Sequence, residues 1–291
     1  MVGTVPGVRC RQITDADIPA VVALLARGFP SADRNFWQRG LHQLGRLRPP
    51  PGLPKYGYLL DNEGTAVGTI LLICSTMRAG DKPVTRCNLS SWYVEPAFRA
   101  YAPLLTSRAH AHKDVTYLNV SPHPNTWPII EAQGFSRYCD GKFFAIPMLN
   151  KMFGKPDGVH VFNARVHPTV GFDPFEQEML LQHAKFGCIS LWCATSEDAY
   201  PFVFRPRRIK NVVPGVQLIY CRDTSDFVRF AGPIGRVLAR RGKALVVIDA
   251  NGPIPGLSGV FRPSNTPKYY RGPERPRLGD LAYTECVVLG V

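Results

Sequence analysis

The stretch NLSSWYVEPAFRAYAPLLTSR, residues 88–108, decides how this chain is read. It reads as a strand that ends at Val94, a tight turn over Glu95 and Pro96, and a helix that opens near Phe98. A strand feeding a helix through so short a turn aims backbone N–H groups and a positive helix end at one point. That is a place for an anion such as a phosphate. Arg99 stands where its side chain reaches the same anion.

Upstream, Thr14-Asp15-Ala16-Asp17 announces a first helix, with Thr14 or Asp17 as cap, Pro19 in the first turn and Gly28 at the end. Ile18, Val21, Val22 and Leu25 fall on one face of it. A second helix is expected over about residues 33–44, with Phe36, Trp37, Leu41 and Leu44 as an apolar stripe, which at this spacing is a core face. LRPPPGLP (47–54) sustains neither helix nor central strand and reads as an extended connector. Residues 56–60 and 65–75 make a hairpin around Asp61-Asn62-Glu63-Gly64. Its second strand, containing TILLIC (69–74), is apolar on both faces, as in the middle of a covered sheet. Downstream, VTYLNV (115–120) is a strand. Asn125 or Thr126 caps a short helix with Pro128 in its first turn and Gly134 after its end, and residues 142–146 form a last strand.

Four blocks in this order carry a resemblance: RQITDADIPAVVALL, GYLLDNEGTAVGTILLI, WYVEPAFRAYAPLLTSRA and VTYLNVSPHPNTWPIIEAQGF. Over residues 9–147 the chain resembles the acyl-CoA N-acyltransferase superfamily, known as GNAT. The resemblance implies an α/β (α+β) fold with a mixed central sheet flanked by helices. It also implies transfer of an acyl group, most simply acetyl, from acyl-CoA to an amine or hydroxyl of a small-molecule or peptide acceptor. Acyl-CoA would lie where the fourth and fifth strands splay apart, its pantetheine arm held by Trp92, Tyr93 and Val94. Its pyrophosphate would lie on the following turn, at Arg99, Ala100, Tyr101 and Ala102.

Arg99 fits the family's Q/R-x-x-G-x-G/A motif. Ala102 and Leu104 stand at its two small positions, and Pro103 contributes no N–H. The tyrosine that the family often uses as general acid is replaced by Ile130. The nearest polar substitutes are His123 and Asn119, at the end of the fifth strand, and histidine is a residue type able to act as acid or base. Glu131 is a further carboxylate on the short helix. No metal is expected, since nothing in the sequence resembles a spaced Cys/His or HExxH site. The alternative to an enzyme is a non-catalytic binding protein that keeps the fold, a reading that the altered turn and the absent tyrosine favour.

Beyond a linker at 148–160, residues 161–291 carry a second set of signals. Asp173, Pro174, Glu176 and Gly187 bound a helix; strands are expected at 188–194, 200–205, 216–221 and 244–249, with a helix over about 226–241. Residues 250–280, rich in proline and glycine, read as a long loop, and 281–289 as a final strand. This half is either a degenerate copy of the first, giving domains 1–147 and 161–291, or a separate α+β extension. After its LIYC strand, Asp223 and Asp226 stand where a phosphate would go, so a copy is not expected to bind CoA.

The chain has 291 residues, 45% of them hydrophobic and 20% charged, which suits folded domains with a sizeable core. The formal charge of +13 divides as +6 in residues 1–150 and +7 in the rest. Such an excess suits a polyanionic ligand, whether a nucleotide cofactor, nucleic acid or an anionic membrane surface. The cluster RPRRIK (205–210) is a candidate for phosphate or RNA, although no nucleic-acid motif accompanies it. Eight cysteines without CxxC spacing read as buried reduced thiols, and a cytoplasmic location is the default expectation. The N-terminal segment lacks the apolar core of a signal peptide, and no apolar run reaches transmembrane length.

Overall fold

Alternate residues of the TILLIC run face two different cores. The computed structural model describes residues 7–80, 82–150, 158–209 and 212–290. Within it, Ile70, Leu72 and Cys74 pack with Leu89, Leu105, Tyr117, Ile130 and Phe135 on one side of a sheet. Leu71 and Ile73 pack with Val21, Leu25, Trp37 and Leu41 on the other. A strand apolar in both registers is thereby covered on both faces by helices.

The strands are β1 (Val8–Gln12), β2 (Gly57–Asn62), β3 (Thr65–Ala79), β4 (Lys82–Val94), β5 (Thr116–Asn119) and β6 (Ser136–Ala145), then β7 (His160–Asn163), β8 (Ile189–Ala194), β9 (Ala199–Ile209), β10 (Val213–Tyr220), β11 (Leu245–Ala250) and β12 (Gly259–Arg271). They form one twelve-stranded sheet in the order β1-β2-β3-β4-β5-β12-β6-β11-β10-β9-β8-β7. From the centre outward the order is mirrored. Each half supplies its first five strands to one wing, and the sixth strands, β6 and β12, lie in the middle, each against the fifth strand of the other half. The fourth and fifth strands of each half run parallel, whereas the pairs from β1 to β4 and from β7 to β10 are antiparallel.

Helices α1 (Ile18–Gly28) and α2 (Arg34–Gly45) cover one face of the first wing; α3 (Ala102–Ala109) and α4 (Trp127–Ala132) cover the other. In the second half, α5 (Pro174–Lys185) packs with β8 and β9 on one face, while α6 (Thr224–Arg229) and α7 (Ala231–Arg240) cover the opposite one. A last helical turn, α8 (Glu285–Val288), returns to the first half and lies against α2.

The local signals act as their chemistry requires. Asp33 accepts from the Phe36 amide to start α2, and Asp173 from the Phe175 amide to start α5. The β2–β3 hairpin closes on Glu63-Gly64, both with positive φ, the geometry that matches the twist of paired strands.

Several expectations are corrected. The helix expected near Phe98 begins as a 3-10 turn, Pro96–Tyr101, and becomes α-helical only at Ala102, where Pro103 occupies a first-turn position that needs no N–H. The single helix over 226–241 is broken at Phe230, because Pro233 has no N–H for the carbonyl four residues back. Residues 250–280 are not one loop: β12 runs through them, its register shifted between Pro263 and Lys268. Residues 281–289 are not a strand but a turn leading into α8. Cys74 and Cys87, directly opposite on β3 and β4, form a disulfide in place of two of the expected thiols; Cys10, Cys139, Cys188, Cys193, Cys221 and Cys286 are free. Of the linker at 148–160, residues 151–157 lie outside those described. No helix of the described residues is long and apolar enough to cross a membrane.

Candidate active site

β4 and β5 are paired only from Arg86↔Thr116 to Asn88↔Leu118, and diverge beyond. Past that fork β4 bulges: Ser90 pairs with Leu71 and Tyr93 with Thr69, so Ser91 and Trp92 together oppose Ile70. Ser91 takes the left-handed conformation, φ 52°. That strain, of order 1–3 kcal/mol for a residue other than glycine, re-aims the strand edge just where it parts from β5.

A cavity of about 440 Å³ opens in the fork. Its lining comes from both cores: Trp37 with Phe29 and Phe36 from the α1–α2 face, and Leu89, Ile130 and Phe135 from the α3–α4 face. The cavity therefore passes through the sheet. Two buried indole N–H groups of its lining, Trp37 Nε1 and Trp92 Nε1, have no hydrogen-bond partner among the described residues. Unpaired buried donors are rare enough to point to a ligand that supplies acceptors.

Glu285 reaches this fork from the opposite end of the chain. Asn88, at the last paired position of β4, accepts from the Glu285 amide (2.7 Å) and donates to the Leu118 carbonyl of β5 (3.3 Å), so one side chain ties both strands to α8. The Glu285 carboxylate accepts from Ser121 Oγ (2.5 Å) and from Ser90 Oγ, and it lines the cavity. Burial pushes its carboxyl up, against the opposing effects of Ser121, Ser90 and Lys268. On the other face His110 accepts from Arg271 at Nδ1 (3.0 Å), which places its proton on Nε2; burial and the Arg271 charge hold it neutral.

The residues expected from sequence separate. Asn119, His123, Ile130 and Trp92 line the cavity. His123 is exposed, and its Nδ1 accepts from the Asn125 amide (3.3 Å), capping the turn before α4. Tyr93 leaves the lining for the α1 side, its ring against Phe29 and over Gly28. Val94 is buried in the α3–α4 core. Arg99, Ala100, Tyr101 and Ala102 lie on or just after the 3-10 turn and outside the cavity lining, with Arg99 and Ala100 exposed. The amides of Phe98 and Ala102 are bonded to the carbonyls of Glu95 and Arg99. Glu131 is engaged elsewhere: it accepts from Tyr269 Oη and from Arg137 (both 2.8 Å), which hold its carboxyl below the usual range. Of the RPRRIK cluster, Arg207 donates to Gln217 (2.7 Å), and Lys210 lies outside the described residues. No group of three His, Cys, Asp or Glu residues suited to a metal occurs among the described residues.

Sequence reasoning missed Ser90, Ser91, Ser121 and Glu285. The one signal is compositional: in LAYTECVVL (281–289) Glu285 is a lone carboxylate inside an apolar run, and such a group needs partners when buried. Gly28 was read only as a helix end. A methyl there would stand 2.4 Å from the Tyr93 ring. Gly28→Ala is expected to destabilise the protein by about 1–3 kcal/mol through displacement of that ring, measurable by urea unfolding.

The second half has the same kind of fork, and it is filled. β10 and β11 pair from Gly215↔Leu245 to Gln217↔Val247 and then part. Beyond, Tyr220 bridges Asp280 in antiparallel fashion, Cys221 N–H donates to the Gly279 carbonyl (3.1 Å) and Leu281 N–H to the Ile219 carbonyl (2.7 Å). β9 holds the other edge of β10, so residues 279–281 take the edge that faces the fork. Asp223 and Asp226 form the capping box of α6.

No protein-family model and no curated protein matches this sequence. Among solved structures, the chain is similar to a GCN5-related N-acetyltransferase from Anabaena variabilis (12% identity, TM-score 0.56, covering 91% of this chain and 72% of that one). It is likewise similar to a GCN5-related N-acetyltransferase from Kribbella flavida (12%, TM-score 0.55, 91% and 70%) and to Eis1 from Mycobacterium abscessus (10%, TM-score 0.54, 91% and 73%). At such identities the likeness speaks for architecture. The chain has the GNAT fold, and the resemblance read over residues 9–147 extends to most of its length.

Proposed function

We propose that the protein transfers an acyl group, most simply acetyl, from acyl-CoA to an amine in the first-half fork, with Glu285 as the proton acceptor. The observation that carries this reading is the cavity through the sheet where β4 and β5 part, with a buried carboxylate in its lining. The unpaired edge of β4 from Leu89 to Val94 and the Trp92 indole N–H supply hydrogen bonds for a pantetheine arm. Arg99 and the start of α3 supply the charge for its phosphates. The turn there lacks glycines, and two of its amides are already bonded, so the phosphate end is held chiefly by side chains and the pantetheine end carries the affinity. The two halves are proposed to be copies of one fold, of which only the first keeps an open fork.

Acyl-CoA supplies a thioester carbonyl open to nucleophilic attack. The acceptor enters as an ammonium and gives one proton to Glu285. The nitrogen lone pair forms the N–C bond, the C–S bond breaks with its electrons on sulfur, and the second nitrogen proton ends on the thiol. Glu285 then returns its proton to water. Its high proton affinity brings it closer to that of an amine, which makes it a better base than a solvated carboxylate.

Calorimetry with acetyl-CoA tests the cofactor: saturable binding at micromolar ligand is expected. Arg99→Ala is expected to weaken it by about 3–10-fold, less so at high salt, as for an exposed charge on a phosphate. Absence of heat at high micromolar acetyl-CoA would sink the reading.

A further inference from the structure

We infer that the acceptor is a primary amine on a single aromatic or alkyl body, without a carboxylate or a second cationic group. This rests on the acyl-transfer reading above and concerns the α1–α2 side of the same cavity. The wall there is Phe29, Ala32, Phe36 and Trp37, with Ser31 at its exposed edge. The rings form one cluster: Phe29 and Trp37 have centroids 5.5 Å apart, and Phe36 stands edge-on to Trp37 at 5.1 Å. Among the described residues, Glu285 is the one carboxylate in the lining, and no lysine or arginine lines it.

Each feature excludes a class. An amino acid would bury its carboxylate with no cation to meet it, and an unpaired buried charge is costly. A polyamine would place its further ammonium groups against rings with one carboxylate among them. An amino sugar would strip water from several hydroxyls against a wall that offers, among the described residues, the Ser31 hydroxyl and the single Trp37 indole N–H. A single ammonium on an apolar body suits this site: the rings bury the body, and Glu285 takes its charge and then its proton. The +13 charge of the chain is kept from this lining as far as the described lysines and arginines go, since none of them lines it.

The test measures CoA-thiol release from acetyl-CoA with 2-phenylethylamine, hexylamine, phenylalanine, glucosamine and spermidine, alongside calorimetry of each amine with the protein. Phenylalanine is phenylethylamine plus a carboxylate, so that pair isolates the charge. The expected kcat/KM for phenylethylamine exceeds that for phenylalanine and spermidine by at least about 100-fold. Phe36→Ser is expected to raise its KM about 10-fold with acetyl-CoA binding unchanged. Ala32→Leu, which fills the same space without opening the core, should do the same. Turnover of phenylalanine, glucosamine or spermidine as good as that of phenylethylamine overturns the inference and leaves acyl transfer standing. Binding of phenylethylamine, weakened by Phe36→Ser, without CoA release from any amine leaves the subsite standing and removes acyl transfer. If neither phenylethylamine nor hexylamine binds, the inference is overturned.

Discussion

Glu285→Gln is expected to lower kcat about 10³-fold while leaving the fold at least as stable at pH 8. Loss of a general base costs about 10²–10⁴-fold, and glutamine keeps the shape and can still bond Ser90 and Ser121. The stability effect follows from the direction of the pKa shift. Burial raises the Glu285 pKa in the folded protein, so the protonated form is the one the fold favours. Its contribution is full below the unfolded value, about 4.3, and is lost as pH rises through the folded value. Above the folded value the native protein carries a buried charge that the variant lacks; at pH 4 the two should be nearly equal. Activity runs the opposite way. The base must be unprotonated, so kcat/KM of the native protein climbs with pH along a limb lying above the ordinary carboxylate range, and that limb disappears in the variant. Urea unfolding at both pH values and a pH–rate profile decide the matter. A variant that retains the limb, or a third of the rate, would show that another group takes the proton.

The second large effect concerns a buried ion pair on the segment that leads into this carboxylate. Arg86, on β4, binds Asp280 (Nη1–Oδ2 3.1 Å) and donates to the Ala282 carbonyl (2.7 Å); both side chains are about 8% exposed. Asp280 is also the residue that bridges Tyr220 at the end of β10. One buried pair thus joins the first-half fork to the segment that fills the second, five residues before Glu285. Burial alone would raise the Asp280 pKa, yet Arg86 and Arg277 hold it below the usual range. Its contribution is therefore present above about pH 3.9 and lost as pH falls through the folded value. Arg86→Met should cost about 3–5 kcal/mol, because the buried carboxylate loses its nearer cation and keeps only Arg277 at 3.5 Å, whereas Arg86→Met with Asp280→Leu should recover most of that loss. Acyl transfer should stay low in the double variant if the pair also positions Glu285. A double variant no more stable than the single one would show that the pair is not the source of the effect.

The first half was legible because its signals are local. Thr14, Asp33 and Thr126 mark helix starts, Asp61 to Gly64 a hairpin, and TILLIC a strand covered on both faces, each readable within a few residues. The same locality explains the failures after Asn251. β12 is broken by prolines and glycines, and it is a strand because β5 and β6 flank it, not because its own residues favour one. Residues 281–289 are apolar for a different reason than a strand would be: Val288 and Leu289 fill the core beneath α2, and the short helical turn between them and Thr284 turns Glu285 toward the fork.

Helices α1 and α2, the β2–β3 hairpin and the strand, turn and helix of residues 88–108 were set by the sequence within single segments, where capping, turn chemistry and side-chain periodicity act over a few residues; β1, β7 and β12 were not, and Trp92, Asn119 and His123 followed from the family resemblance. Glu285 at the β4–β5 fork, the filled fork at Tyr220, the exchange of β6 and β12 between the wings, and the aromatic wall in the same cavity as the carboxylate were decided by tertiary structure alone. Each joins residues up to two hundred positions apart, through hydrogen bonds and burial that no local preference encodes.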